Sequence, residues 1–210
     1  MEAYLSLNAR ASAEFTERKS VFIGTAAPVT EESEALAFIA ELRKKYADAT
    51  HNVYAYILRK NNICRFSDDG EPHGTAGLPV LDVLRKEHIT DAAVVVTRYF
   101  GGILLGAGGL VRAYTASAKQ AIDTAGRAEW APCAHFTVAS DYADHQKLLY
   151  FFKKNSVELR KTSFSDTVVN ECVVDTSRRE DVCEAIRALT NGRAAVAQLE
   201  DEYIKREVRK

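Results

Sequence analysis

The stretch VVVTRYFGGILLGAGGLVRAY, residues 94–114, decides how the first half of the chain folds. Three valines and a threonine have strand character, five glycines interrupt the pattern, and a helical periodicity then begins near Gly108. Ala92 to Thr97 is therefore expected as a strand, and Gly108 to Ala125 as a helix with Val111, Tyr114, Ala118, Ala121, Ile122 and Ala125 turned inward. Strand, glycine-rich loop and helix is the order that phosphate-binding loops use. It is not a dinucleotide fingerprint, because Gly106 and Gly108 would need a third glycine where Val111 stands. It is not a P-loop either, since no Gly-Lys-Ser/Thr follows. On a binding reading, Gly101, Gly102, Gly106, Gly108 and Gly109 bare the backbone to an anion, Arg98 and Arg112 supply charge, and Tyr99 or Phe100 offers a ring. The plain alternative is that the glycines permit close packing and positive φ. Of Tyr99 and Phe100, one is expected in the core and the other exposed, because neighbours on an extended chain point opposite ways.

Outward from this stretch, eight of the 11 glycines lie between residues 70 and 109. The second half reads as plain regular structure, and a boundary is expected near Gly126 to Pro132, giving domains 1–127 and 132–210. Upstream, Thr30 is expected to cap a helix with Ala35, Phe38, Ile39, Leu42 and Tyr46 on its buried face. His51 to Leu58 reads as a strand and Gly77 to Lys86 as a short helix. Beyond the boundary, a strand at 134–140 leads to a helix capped by Asp141, with His145, Leu148, Leu149 and Phe152 inward. Strands near 156–161 and 166–175 follow. Ser177 and Glu180 are expected as a capping box for a helix with Val182, Ile186 and Leu189 inward, and a last strand covers 194–204. The order β-α-β-β-α-β is that of the ferredoxin-like split βαβ fold. The fold class is α+β.

The second chemical candidate is residues 67–79, SDDGEPHGTAGLP. A tight turn accounts for Asp69, Gly70 and Pro72. A compatible reading makes Gly74, Thr75, Ala76 and Gly77 a helix-opening nest of N–H groups that faces an anion. His51, Asp68, Asp69 and Glu71 are possible accessories. A metal site fits less well, since the carboxylates lack the spacing of a calcium loop. The cysteines Cys64, Cys133, Cys172 and Cys183 include no C-x-x-C, so zinc is not expected and inert thiols are. No cofactor is implied.

Composition narrows the classes further. The chain has 210 residues, 47% apolar and 27% charged, with a formal net charge of -1, as in ordinary soluble globular proteins. Up to residue 125 there are 14 cations against 15 carboxylates, and beyond it 14 against 14, so neither half is polarised. Any basic face must be local. No apolar run is long enough to span a membrane, and the N-terminus has neither a basic nor an apolar leader region, so a cytoplasmic protein is expected.

These segments, with residues 48–56 (DATHNVYAY), resemble the YigZ/IMPACT family over roughly Phe15 to Ala125. Residues 132–210 are similar to the C-terminal domain of bacterial members, so the bacterial two-domain type without an RWD domain is expected. The resemblance implies an N-terminal domain of ribosomal-protein-like βαβ type, related to small-subunit ribosomal proteins and to a domain of the ribosomal translocase. It also implies a ferredoxin-like C-terminal domain. Eukaryotic members dampen the general amino-acid-control kinase by competing for its ribosome-associated activator. The resemblance implies no catalytic residue, and His73 occupies a variable place in its motif. The expected function is translation-linked regulation through binding of RNA phosphate or a ribosome-associated protein. The rival is an enzyme acting on a phosphorylated small molecule, against which no lysine or serine lies between Gly101 and Val111.

Overall fold

A computed structural model describes residues 2–207, which form two compact units: Tyr4–Glu129, and Trp130–Lys205 together with residues 2–3. The protein is a mixed α+β molecule.

The first unit contains β1 (Tyr4–Leu7), β2 (Ala11–Glu17), β3 (Ser20–Pro28), α1 (Glu32–Lys45), β4 (His51–Leu58), β5 (Ile63–Ser67), α2 (Gly77–Lys86), β6 (Ala92–Tyr99) and α3 (Ala107–Ala125). Its five-stranded sheet has the order β2-β3-β6-β4-β5, every pair antiparallel. β6 is the central strand, and Ala92 to Val96 are all fully buried because helices cover both faces. Alternation sorts its side chains. Val94 and Val96 meet Phe22, Val53, Leu81, Leu84, Tyr114 and Ile122 on the side of α2 and α3. Ala93 and Val95 meet Phe38, Ile39, Leu42 and Tyr56 on the side of α1. Each large apolar side chain fully buried there contributes about 1.5–3 kcal/mol. β3-α1-β4 and β5-α2-β6 are each a split βαβ, with one strand inserted between the two parallel ones.

Local detail departs from the simplest sequence cues. The β2–β3 hairpin turns on Arg18 and Lys19, both at positive φ (45° and 64°), where Asn-Gly is the usual sequence cue. Thr30 does not cap α1. Glu31 is the N-cap, and Glu34 reaches back to the N–H groups of Thr30 and Glu31 at 2.7 and 3.3 Å, because its longer side chain spans the turn. Val111 is 37% exposed, and Leu110 and Ala113 take its inward place.

The second unit comprises β7 (Arg127–Ser140), α4 (Tyr142–Lys154), β8 (Glu158–Phe164), β9 (Val168–Asp175), α5 (Arg179–Leu189), β10 (Ala195–Gln198) and β11 (Glu202–Glu207). The strands run β10-β7-β9-β8, all antiparallel, which is the ferredoxin-like arrangement. Phe136, Leu148, Phe152, Cys172 and Ile186 form its core. Asp141 caps α4 by accepting from Asp144 N at 2.7 Å. Residues 127–132 are strand, not linker. Pro132 is tolerated because the β9 ladder begins one residue later, at Cys133, so its missing N–H breaks no β9 pairing. Ser177 is no N-cap: Thr176–Arg178 form a 3-10 turn, and α5 starts at Arg179 without a side-chain cap. Leu189 lies 37% exposed. Cys133 and Cys172 are buried and Cys64 and Cys183 partly so, with burial pushing the Cys172 thiol up to about 12. No described helix is long and apolar enough to cross a membrane.

Candidate functional site

The glycine-rich segments converge at one end of the first unit's sheet, where β6 leaves towards α3 and β5 leaves towards α2. The β5–α2 segment is organised by Asp68. One carboxylate oxygen accepts from Gly74 N at 2.8 Å, and the other from Ala76 N and Gly77 N at 3.1 and 2.7 Å. Burial works to raise the pKa of Asp68, but these three N–H donors outweigh it and hold the carboxyl below the ordinary aspartate value. The nest over residues 74–77 therefore exists, but the anion that fills it is the chain's own carboxylate. That corrects its reading as an open ligand site. Thr75 turns back on Pro72 O through its N–H and hydroxyl. Gly77 has no room for a side chain, since a Cβ there would lie 2.6 Å from Ser67 O.

Asp69 and Glu71 lock the same segment onto β4 and β6. The Asp69 carboxylate accepts from Asn52 N and Arg43 Nη2, each at 2.6 Å. Its carbonyl oxygen lies 2.8 Å from His51 Nδ1. A carbonyl only accepts, so Nδ1 carries the proton and Nε2 is the bare nitrogen of the neutral ring. Glu71 is 8% exposed, and its Oε1 accepts from Arg98 Nη1 at 2.6 Å and from the Tyr114 hydroxyl at 2.7 Å. His51 Nε2 stands 3.7 Å from that oxygen. Burial and then the Glu71 charge push the Tyr114 phenol well above its ordinary range, so it remains a donor.

Arg98 is correspondingly not a free cation. It is 5% exposed, its Nη2 donates to Ser20 Oγ at 3.3 Å, and the rings of Phe22 and Phe100 lie 5.5 and 5.4 Å from its guanidinium carbon. Its Nε has no hydrogen-bond partner among the described residues. The extended alternation that ends β6 turns this side chain inward, against the expectation of a phosphate-facing arginine. The pairing of Tyr99 and Phe100 as core and surface also changes. Tyr99 is half-buried with its hydroxyl donating to Asp48 at 2.9 Å, and Phe100 is 45% exposed.

Gly101 sits against the β2–β3 turn so closely that a Cβ would meet the Lys19 carbonyl carbon at 2.0 Å. Gly102 and Gly106 adopt positive φ (82° and 71°). Gly106 is the N-cap of α3 and has no side chain to cap it. Arg112 is exposed and, with Arg18, lines a cleft of about 230 Å³ beside Gly109 and Leu105. A second cavity, of about 370 Å³, opens on the other side of Leu105. Glu71 and Arg98 form its deep end, and Pro72 and Leu110 its walls. Thr50, His51, Phe100 and Leu104 stand at its mouth, with Leu104 81% exposed.

Of the residues singled out from the sequence, His51, Glu71, Arg98 and Gly106 thus share one cavity, Gly109 and Arg112 face the neighbouring cleft, and Asp68 with Gly74 to Gly77 forms a supporting turn. Gly102 and Gly108 lie on the connecting loop and first helical turn. Reasoning from sequence missed Ser20, Thr50, the Arg18-Lys19 turn and the polar role of Tyr114. Of these, Thr50 alone carried a signal, as a hydroxyl beside His51 at a strand start. Among the described residues no group of three or more His, Cys, Asp and Glu is arranged to hold a metal ion.

Comparison with known proteins agrees with this architecture. The family model described as the Impact N-terminal domain matches residues 18–122, and a domain of unknown function (DUF1949) matches residues 138–193. The chain is 35% identical over 209 residues to the IMPACT family member YvyE of Bacillus subtilis, covering 99% of this chain and 96% of that protein. It is 38% identical over 128 residues to the Escherichia coli family member YigZ, covering 60% and 63%, and 38% identical over 95 residues to Protein IMPACT of Bos taurus, covering 43% and 30%. A solved structure titled as that of a hypothetical protein superimposes with a TM-score of 0.62 at 27% identity, covering 95% of this chain and 98% of the other. With its two family segments in order and a relative matched along almost its whole length, the chain belongs to the IMPACT family.

Proposed function

We propose that this protein is a cytosolic, translation-linked binding module that docks single-stranded RNA on the face formed by loop 100–106, the first turns of α3 and the β2–β3 turn. The observation that carries the reading is the division of labour at this face. The groups suited to chemistry, Glu71, Arg98 and Tyr114, are bonded to one another in the interior. The groups left outside are those that hold a nucleic acid: Phe100, Ile103 and Leu104, exposed by 45%, 40% and 81%, and the cations Arg18, Lys19 and Arg112. They are neighbours, since Gly101 abuts Lys19, and Leu105 and Arg112 share a cleft with Arg18. The uncapped start of a 19-residue helix adds free N–H groups and the positive end of a dipole. Stacking on an exposed ring beside a small basic strip suits unpaired RNA.

With a net charge of -1 the strip is small. Neutralising about three phosphates of a single strand, it should lose roughly 20-fold in affinity between 50 and 200 mM salt. Arg112→Ala should lower the salt slope by about 0.7 while leaving the fold intact. Fluorescence anisotropy with a labelled single-stranded RNA measures both; affinity independent of salt, or a slope unaffected by Arg112→Ala, sinks the proposal. The rival reading, an enzyme acting on a phosphorylated small molecule, needs a reactive group directed at substrate, and the internal bonding of Glu71 and Arg98 favours the binding role.

A further inference from the structure

The cavity beside this face is more than a gap between loops. Glu71 Oε1 is saturated by Arg98 and Tyr114, but Oε2 accepts no hydrogen bond from any described residue, although the side chain is only 4% exposed. A carboxylate oxygen to which the protein gives no donor is free to take one from a ligand N–H in place of water. Oε2 is not among the fully enclosed unpartnered atoms, so it opens on the cavity that Glu71 lines.

Two further groups converge on the same space. His51 Nδ1 is committed to Asp69 O, which leaves Nε2 as a second acceptor. Thr50 Oγ1 accepts from Phe100 N at 3.1 Å, so its own hydroxyl proton is available to donate. Phe100 supplies a ring at the mouth, and Leu104 and Leu110 supply apolar walls. The volume, about 370 Å³, lies in the range of small-molecule sites.

We infer that this cavity receives an unpaired guanine base. Besides the Arg98 guanidinium, which is bonded to Glu71 and Ser20, the two acceptors and one donor call for a ligand edge with two adjacent N–H groups and one carbonyl. Guanine has that edge, with N1–H and the N2 amino group beside O6. Adenine and cytosine each place a ring acceptor beside one amino group. Uracil sets a single N–H between two carbonyls, which the Glu71 carboxylate would repel. The base would stack on Phe100, give N1–H and N2–H to Glu71 and His51, and take the Thr50 hydroxyl on O6. Its phosphate would then meet the first turn of α3, where Gly108 and Gly109 carry no side chain. This inference rests on the RNA-docking reading and sharpens it from unpaired RNA to an unpaired guanosine.

The test uses the full chain and needs no variant. Anisotropy titrations compare three short RNAs: an oligouridine, the same strand with one central guanosine, and the same strand with inosine there, which lacks only the N2 amino group. The guanosine strand should bind several-fold tighter than the inosine strand, up to about tenfold, the effect of one hydrogen bond to an imidazole nitrogen. In parallel, guanosine monophosphate should shift the amide NMR signals of Thr50, His51, Phe100 and Leu110, and inosine monophosphate should shift them far less. If the three RNAs bind alike, the guanine pocket is overturned while RNA docking stands. If no RNA binds but guanosine monophosphate still shifts those amides, the RNA reading falls and the pocket survives. If neither responds, both fall.

Discussion

Two buried carboxylates, one in each unit, pair with an arginine and differ in what the pairing does. Glu71 and Arg98 are both buried, with side chains 4% and 6% exposed, and their other partners come from β3, β4 and α3. Asp144 in α4 is equally buried at 1%, but its cations, Arg193 and Lys147, are 52% and 58% exposed. The first pair ties distant segments of chain into the wall of a cavity. The second ties a helix start to the turn after α5, and it faces water on the cation side. Pairing type alone therefore says little about role. What matters is whether both charges left the solvent, because only then does losing one strand the other in a medium that cannot solvate it.

The comparison breaks most easily at Arg98. Arg98→Ala leaves Glu71 charged and buried, and should cost about 3–5 kcal/mol in urea unfolding. A loss below about 1 kcal/mol would show that Glu71 reaches water and that the two carboxylates are alike after all.

Asp68 offers an intermediate case, because its partners are backbone N–H groups and need no second charge. Its folded pKa lies below the ordinary value, so its contribution is fully present above the unfolded aspartate pKa near 4 and is lost as pH falls through the lower folded value. Asp68→Asn should cost about 1 kcal/mol near neutral pH, as for other residues that cap backbone donors. The stability of the variant, followed by urea titration from neutral pH down to pH 3, should fall less steeply than that of the parent chain. Parallel pH profiles would remove Asp68 as the anchor of the turn.

The smallest effect belongs to the second unit. Arg193 first, and then Lys147, hold the Asp144 carboxyl below the usual carboxylate range. Arg193→Ala leaves Lys147 in place and removes a cation that is half in water, so thermal unfolding should show a change of no more than about 1 kcal/mol. A loss as large as that of Arg98→Ala would erase the distinction drawn between the pairs.

Much of the framework is legible in the residues one after another. The apolar stripe of α1, the limits of α2, the Asp141 cap and the β-α-β-β-α-β order of the second unit all rest on periods of two or 3.6 residues and on local hydrogen bonds. Errors cluster where two local cues compete. Thr30 and Glu31 both suit a cap, and Pro132 reads as a break although it falls just before the β9 ladder begins.

Composition and spacing by themselves determined the fold class, most of the helix faces and the glycine-rich segments that border the candidate site, because those depend on neighbours within a few residues. The tertiary structure alone decided which charges are free. Arg98 meets a carboxylate 27 residues earlier in the chain and a serine 78 residues earlier, and Tyr114 reaches back 43 residues to the same carboxylate. Strand alternation says that a side chain turns inward or outward, but not what waits for it there. An arginine at a strand end is a phosphate ligand or a buried strut according to the partner the sheet brings beside it, and that partner comes from a distant stretch of chain.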